Sequence, residues 1–173
     1  TKRLHLRLLN AAVYEELYQS YDDDFIMHYL GLDSIKALQL EKEKFKMGLT
    51  CYDRTFEIYQ MIDKASKQVI GMTGFVRWWP KHHRAEIGYA LSDFSFEGKG
   101  YTKEATLPLV EYGFNKLGLQ RIEALVGTSN PASTKIIEKM GMKKEGQMRN
   151  HYVRNNLAED SILYAILKEE WKG

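Results

Sequence analysis

The sequence predicts an α+β fold with at least one right-handed crossover. Two observations carry this expectation. Segments of period-two hydrophobicity and segments of helical period interleave along the chain, in the order strand, helices, three antiparallel-looking strands, strand–helix–strand and a closing hairpin. The strand–helix–strand passage requires a crossover connection, and crossovers between parallel strands of one sheet are right-handed.

Each element has a local reason. Leu4, Leu6 and Leu8 alternate with His5, Arg7 and Leu9 in the first strand. Asn10 is suited to cap a helix over Ala11–Gln19, and the acidic run Asp22-Asp23-Asp24 begins a connection. A second helical stretch, Ser34–Met47, sets Ile35, Leu38, Leu40 and Phe45 among Lys and Glu and stops at Gly48. From Arg54 the period is two: Phe56, Ile58, Gln60 and Ile62 face one way, Glu57, Tyr59, Met61 and Asp63 the other. A turn over Lys64–Gln68 returns the chain along Val69–Trp78, and Arg84–Asp93 makes the next strand. Phe94–Gly100 is a glycine-bearing loop. Thr102–Leu117 is helical with a kink expected at Pro108, and Gly118 ends it. Gln120–Gly127 is a strand, Asn130-Pro131 starts a helix that Gly141 stops, and Met142–Lys168 folds back around Asn155-Asn156.

Composition narrows the functional classes. The 173 residues suit one domain, here taken as 1–173, and the 44% hydrophobic and 28% charged residues are those of a globular protein. The formal net charge of +2 is too balanced to argue for nucleic acid or an anionic membrane as partner. No stretch approaches the roughly 20 apolar residues of a membrane span, and the opening residues lack the apolar core of a signal peptide, so a cytoplasmic protein is expected. The single cysteine, Cys51, reads as an ordinary thiol. No metal is expected: His82 and His83 point apart if extended, and His5, His28 and His151 show no ligand spacing. Trp78-Trp79 either line a slot or pack at a hairpin end. Asp22–Asp24 either attract a cationic amine or form a solvated turn.

The chemistry concentrates in two segments. In the first, a strand ending near Leu91 leads through Ser95-Phe96-Glu97-Gly98-Lys99-Gly100-Tyr101 into a helix. Unpaired N–H groups at a helix N-terminus attract phosphate, and Gly98 and Gly100 let an anion approach the backbone. Lys99 and Lys103 would add cationic side chains. The loop matches neither a Walker sequence nor a dinucleotide fingerprint, whose third glycine is replaced by Lys103. Its plain reading is a turn and a helix start. The second segment is Asn130-Pro131-Ala132-Ser133, where Asn130, Ser133 and Ile137 share one helix face. Asn130 and Ser133 also read simply as capping residues.

In order and spacing these segments resemble the GNAT superfamily of acetyl-CoA-dependent N-acetyltransferases, and most its branch of ribosomal-protein N-terminal acetyltransferases. The likeness covers nearly the whole chain. It runs from Thr1–Arg7 through Ala85-Glu86-Ile87-Gly88-Tyr89, Gly98–Ala105, Tyr112-Gly113-Phe114, Asn130-x-x-Ser133 and Glu138–Met142 to Glu145-Gly146. The resemblance implies a mixed, mostly antiparallel sheet of about seven strands flanked by helices, splayed around Tyr89 and Val126. The pantetheine arm of coenzyme A would enter that wedge, with its pyrophosphate on Phe96, Glu97, Gly98, Lys99, Gly100, Tyr101 and Thr102. Asn130 and Ser133 would border it. Two departures stand out: Ser95 where the loop usually begins with Gln or Arg, and Ile137 where many members carry a tyrosine acid.

The implied reaction is direct acetyl transfer to a primary amine. Glu86 would act as base, directly or through a water, since similar members use a glutamate there. N–H groups around Ala90 and Leu91 would stabilise the oxyanion, and Ser133 would protonate the thiolate. The plain reading of Glu86 is a surface carboxylate, or one paired near Arg84. Neutralising a lysine amine of pKa about 10.4 costs roughly 4.6 kcal/mol at pH 7, an α-amine only about 1–1.4 kcal/mol. A modest base therefore suffices for an α-amine, and the acceptor that the resemblance implies is the N-terminal amine of a (ribosomal) protein, held by loops near 21–34 and 76–84. The alternatives are a small amine (polyamine, amino acid or antibiotic) and a non-catalytic acyl-CoA-binding module. The closing hairpin offers an edge for a homodimer.

Overall fold

A computed structural model describes residues 1–46, 48 and 54–173. The expected Cys51 thiol and the end of the second helix at Met47 lie outside these. Seven strands form one sheet: β1 (Leu4–Leu9), β2 (Thr55–Asp63), β3 (Val69–Trp79), β4 (Arg84–Leu91), β5 (Arg121–Gly127), β6 (Lys143–Arg154) and β7 (Leu157–Leu167). Among the described residues five α-helices accompany them: α1 (Ala11–Ser20), α2 (Asp23–Leu30), α3 (Ile35–Lys46), α4 (Tyr101–Asn115) and α5 (Pro131–Lys139). The strand order is β1-β2-β3-β4-β5-β7-β6, and every neighbouring pair is antiparallel except β4–β5. That parallel pair is joined by α4, the crossover read from the sequence. The α+β class and the seven-stranded mixed sheet are as expected.

Alternation along β1 explains how helices cover both faces. Leu4 and Leu9 are five residues apart and so point to opposite sides. Leu4 packs with Met61, Ile70 and Ala105 of α4, whereas Leu9 joins Leu17, Ile26, Leu30 and Leu38 of α1–α3. The main core lies between α4, α5 and the sheet, built from Phe75, Ile87, Val110, Phe114, Ile122 and Ile137. On the α1–α3 side Gln60 is fully buried. Its Oε1 accepts from Arg7 Nε at 2.7 Å and its Nε2 donates to the Tyr29 carbonyl at 3.1 Å, which ties α2 to the sheet.

Three details differ from the sequence reading. The connection expected from Asp22 is a helix: Asp22 caps α2 by accepting from Phe25 N–H at 2.8 Å, and Gly31 ends it at φ 69°. Residues 94–96 of the glycine loop make one 3-10 turn, with Asp93 accepting from Ser95 N–H. The last strand before the loop ends at Leu91, not Asp93. The closing turn matches expectation, with both Asn155 and Asn156 at positive φ as a tight hairpin turn needs.

Candidate active site

A sheet normally pairs its strands along their length, and β4 and β5 do not. Their register holds for three residues only, Arg84↔Arg121, Ala85↔Ile122 and Glu86↔Glu123. Beyond Glu86 the strands diverge, β4 running on to Leu91 and β5 to Gly127. Ser92 N–H donates to the Ile70 carbonyl at 3.0 Å, so strand alternation turns the N–H groups of Ala90 toward β3 and those of Leu91 and Tyr89 into the gap. Of the expected Ala90–Leu91 pair it is therefore Leu91 whose amide faces the opening. Such backbone groups demand a partner.

At the lip of this gap stands the N-terminus of α4. Asn10, Asp22, Ser34 and Asn130 each accept a hydrogen bond from the first turn of the helix that follows. The α4 N-cap is Gly100, at φ 78°, and no side chain caps the helix, so its first N–H groups are left open to an anion. Arg3 holds the loop from behind. Its Nε pairs with Glu104 Oε2 at 2.7 Å, its Nη2 donates to the Lys99 carbonyl at 3.0 Å, and its guanidinium lies 4.2 Å over the Tyr101 ring. Burial works against the Glu104 charge, but hydrogen bonds from the Arg3 backbone and guanidinium and from the Thr1 hydroxyl outweigh it and hold the carboxyl down at about 2.

Two clefts meet at the gap. The first, of 480 Å³, is lined by Ala90, Leu91, Glu97, Gly98, Thr102, Asn130 and Ser133 of the expected residues. Tyr89, Ser92, Asp93, Ala132, Ile136 and the 86% exposed Phe94 also line it, none of them singled out as a site residue from the sequence. Phe96, Lys99, Gly100 and Tyr101 lie outside this lining. Phe96 and Tyr101 meet edge to face at 6.4 Å and support the loop, with the Lys99 ammonium 6.0 Å from the Phe96 ring.

The second cleft, of 270 Å³, opens beside Glu86 and is lined also by Gly127, Tyr152, Arg154, Glu159, Asp160 and Ser161. Tyr89, Asn130 and Ser133 border both clefts. Tyr89 spans the gap, its hydroxyl donating to the Ser133 carbonyl at 3.3 Å, and burial pushes this phenol up. Asn130 Oδ1 accepts from Ser133 N–H at 3.0 Å, so the capping reading of Asn130 holds. Glu86 is buried, and its Oε2 pairs with Arg77 Nη1 at 2.5 Å. The partner considered from sequence, Arg84, instead pairs with Glu123 and lies 3.8 Å from the Trp79 ring. The Arg77 guanidinium is held more firmly charged, first by its hydrogen bond to Glu86 and also by Tyr152. Neither Trp78 nor Trp79 lines either cleft, nor does any residue of 21–34 or 76–84. Among the described residues no group of three or more His, Cys, Asp and Glu side chains is placed to hold a metal ion.

Comparisons with known proteins agree with this geometry. Residues 3–143 match the model of the acetyltransferase (GNAT) domain. Over 97% of its length the chain is 32% identical to the uncharacterized N-acetyltransferase YoaA of Bacillus subtilis, covering 95% of that protein. A shorter stretch, 53% of the chain and 50% of the relative, is 35% identical to the putative ribosomal N-acetyltransferase YdaF of the same organism. The spermidine N-acetyltransferase SpeG of Vibrio cholerae superposes with a TM-score of 0.71 at 21% identity, over 98% of this chain and 96% of that one, a likeness of fold. An uncapped helix at the mouth of a splayed parallel pair suits the diphosphate and amide-bearing arm of acetyl-CoA, and the chain belongs to the GNAT family of acetyl-CoA-dependent N-acetyltransferases.

Proposed function

We propose that residues 1–173 form one catalytic unit that acetylates a primary amine, an N-terminal α-amine of a peptide or protein first, in the cytoplasm. Bound acetyl-CoA supplies an activated acetyl thioester. The open N–H groups of α4, with Gly98 and Thr102, hold its diphosphate, and the Leu91 N–H faces the place where carbonyl charge grows. The amine enters from the second cleft. As its nitrogen bonds to the acetyl carbon, its proton passes to Glu86, directly or through a water, and Ser133 returns a proton to the departing thiolate. The observation that carries this reading is the pair of clefts joined at Tyr89, Asn130 and Ser133, one beside the anion-binding helix and the other beside a buried carboxylate.

The α-amine comes first because Glu86 shares one oxygen with Arg77 and has one free for a proton. A single modest base suits an acceptor that needs only about 1 kcal/mol to become neutral. A second reading, a polyamine, is favoured by the carboxylates of Glu159 and Asp160 in the same cleft. A thiol-release assay with acetyl-CoA separates them. Peptides with free N-termini should outpace spermidine and aminoglycosides; the reverse order would transfer the assignment to the second reading. Coenzyme A binding without thiol release from any amine would leave only an acyl-CoA-binding module.

A further inference from the structure

Ser161 lies on β7 directly opposite Gly127 of β5 and Met148 of β6. The residue is 1% exposed, and its Oγ has no hydrogen-bond partner among the described residues. A hydroxyl offers one donor and two acceptor positions, and leaving all of them unmet in a buried site is costly. Yet Ser161 lines the second cleft. Its neighbour across the register is Gly127, and a Cβ built there would meet nothing within 4 Å, so no side chain fills the space over that glycine. Several polar groups of the same cleft have partners. Asp160 accepts from Asn150 N–H and Gln147 Nε2, Glu86 from Arg77, and Glu159 lies 3.9 Å from Arg154. The Ser161 hydroxyl thus belongs to the lining of the cleft that holds Glu86 and has no partner among the described residues.

We infer that the Ser161 hydroxyl is an acceptor-binding group, accepting a hydrogen bond from the incoming primary amine. A neutral amine has two N–H donors and one lone pair. Giving one N–H to Ser161 fixes the orientation of the nitrogen and leaves its second N–H and its lone pair for the reaction, the proton passing to Glu86 directly or through a water. Ser161 is in this role a positioning contact and takes no proton. The inference rests on the second cleft being the acceptor site.

Two experiments test it. In the first, Ser161→Ala and Ser161→Thr are assayed with acetyl-CoA against spermidine and against a tetrapeptide with a free N-terminal serine. Ser161→Ala is expected to lower kcat/KM for the amine roughly 3- to 10-fold, the range of one lost hydrogen bond, with KM for acetyl-CoA unchanged. Ser161→Thr keeps the hydroxyl and should restore most of it. Because no protein group bonds to Oγ, the alanine variant should melt at or above the wild-type temperature. Unchanged amine kinetics, an equal loss for acetyl-CoA, or a lower melting temperature that accounts for the loss would overturn the role. In the second, crystals of the coenzyme A complex are soaked in n-propylamine. Nitrogen within about 3 Å of Oγ supports the inference, while amine density elsewhere, or a water that stays on Oγ beside bound amine, overturns it. If wild type acetylates neither amine, the functional reading above fails and the soak still decides the fate of Ser161.

Discussion

Gly98 and Gly118 form a matched pair that tests the proposed anion-binding role of the loop. Both have φ of +70°, and a Cβ built on either would meet nothing within 4 Å. Replacing either by alanine therefore carries the same backbone penalty, about 1–2 kcal/mol for an L-residue in the left-handed region, and no steric clash. For a chain of this length that corresponds to a fall in Tm of about 2–8 °C in both variants. The two part company on the ligand. Gly98 lines the 480 Å³ cleft and lies three residues before Tyr101, where the uncapped α4 starts, whereas Gly118 follows the other end of that helix. A methyl group at Gly98 stands where the diphosphate must approach the backbone. Losing one charge-assisted hydrogen bond costs about 1.5–3 kcal/mol, or about 10- to 150-fold in affinity. Calorimetric titration with coenzyme A should show that weakening for Gly98→Ala and wild-type binding for Gly118→Ala. Equal Kd values for the two variants, whether both intact or both weak, would refute the assignment of the diphosphate to this loop.

Glu86→Gln should reduce kcat by about 100-fold or more with KM for acetyl-CoA little changed, measured by thiol release; near-normal turnover would remove Glu86 as the base. Glu104, held down at about 2, contributes stability that is fully present above its unfolded value of about 4.3 and is lost as pH falls toward 2. Acid titration of Glu104→Gln should accordingly show a shallower loss of stability across that window than wild type, read by urea midpoints. Gly113→Ala would push a Cβ to 2.7 Å from Phe75 Cζ and about 3 Å from Leu119 and Ile122, so a destabilisation of about 1–3 kcal/mol is expected by urea denaturation.

What the sequence disclosed and what it withheld divide along chain separation. Elements whose cause is local were legible: Asn10 and Asn130 as caps, Gly118 as a helix stop, the Asn155-Asn156 turn, the alternation of β2. Helix α2 was missed although Asp22, Asp23, Asp24 and Gly31 mark its ends, because eight residues give barely two turns of periodicity and the acidic run also suits a turn. The glycine loop was legible as a turn leading into a helix start, but its support by Arg3 was not: Arg3 and Glu104 are 101 residues apart. The second cleft was least legible. Tyr152, Glu159 and Ser161 come beside Glu86 only because β7 inserts between β5 and β6, a placement that no local pattern encodes.

One topological fact accounts for the neighbourhood of all these parts. A right-handed crossover starts its helix at the C-terminal end of the first strand, so the N-terminus of α4 must follow the end of β4. Because β4–β5 is the sheet's single parallel pair, both strands end on the same side, and α5 must begin there too. The two helix N-termini therefore flank whatever lies between the strand ends. Diverging after Glu86 leaves there the Leu91 and Tyr89 amides instead of a ladder. The two termini are not equivalent: Asn130 consumes the Ser133 N–H, whereas Gly100 has no side chain to consume anything. On the proposed reading, anionic charge is directed to the α4 lip and the extended, amide-bearing part of the same ligand to the unpaired strand edge, while the opposite side of the gap serves the acceptor. The fold creates the unmet backbone groups and the route to them in one step, which is why the cofactor cleft and the carboxylate cleft share Tyr89, Asn130 and Ser133 as a common border.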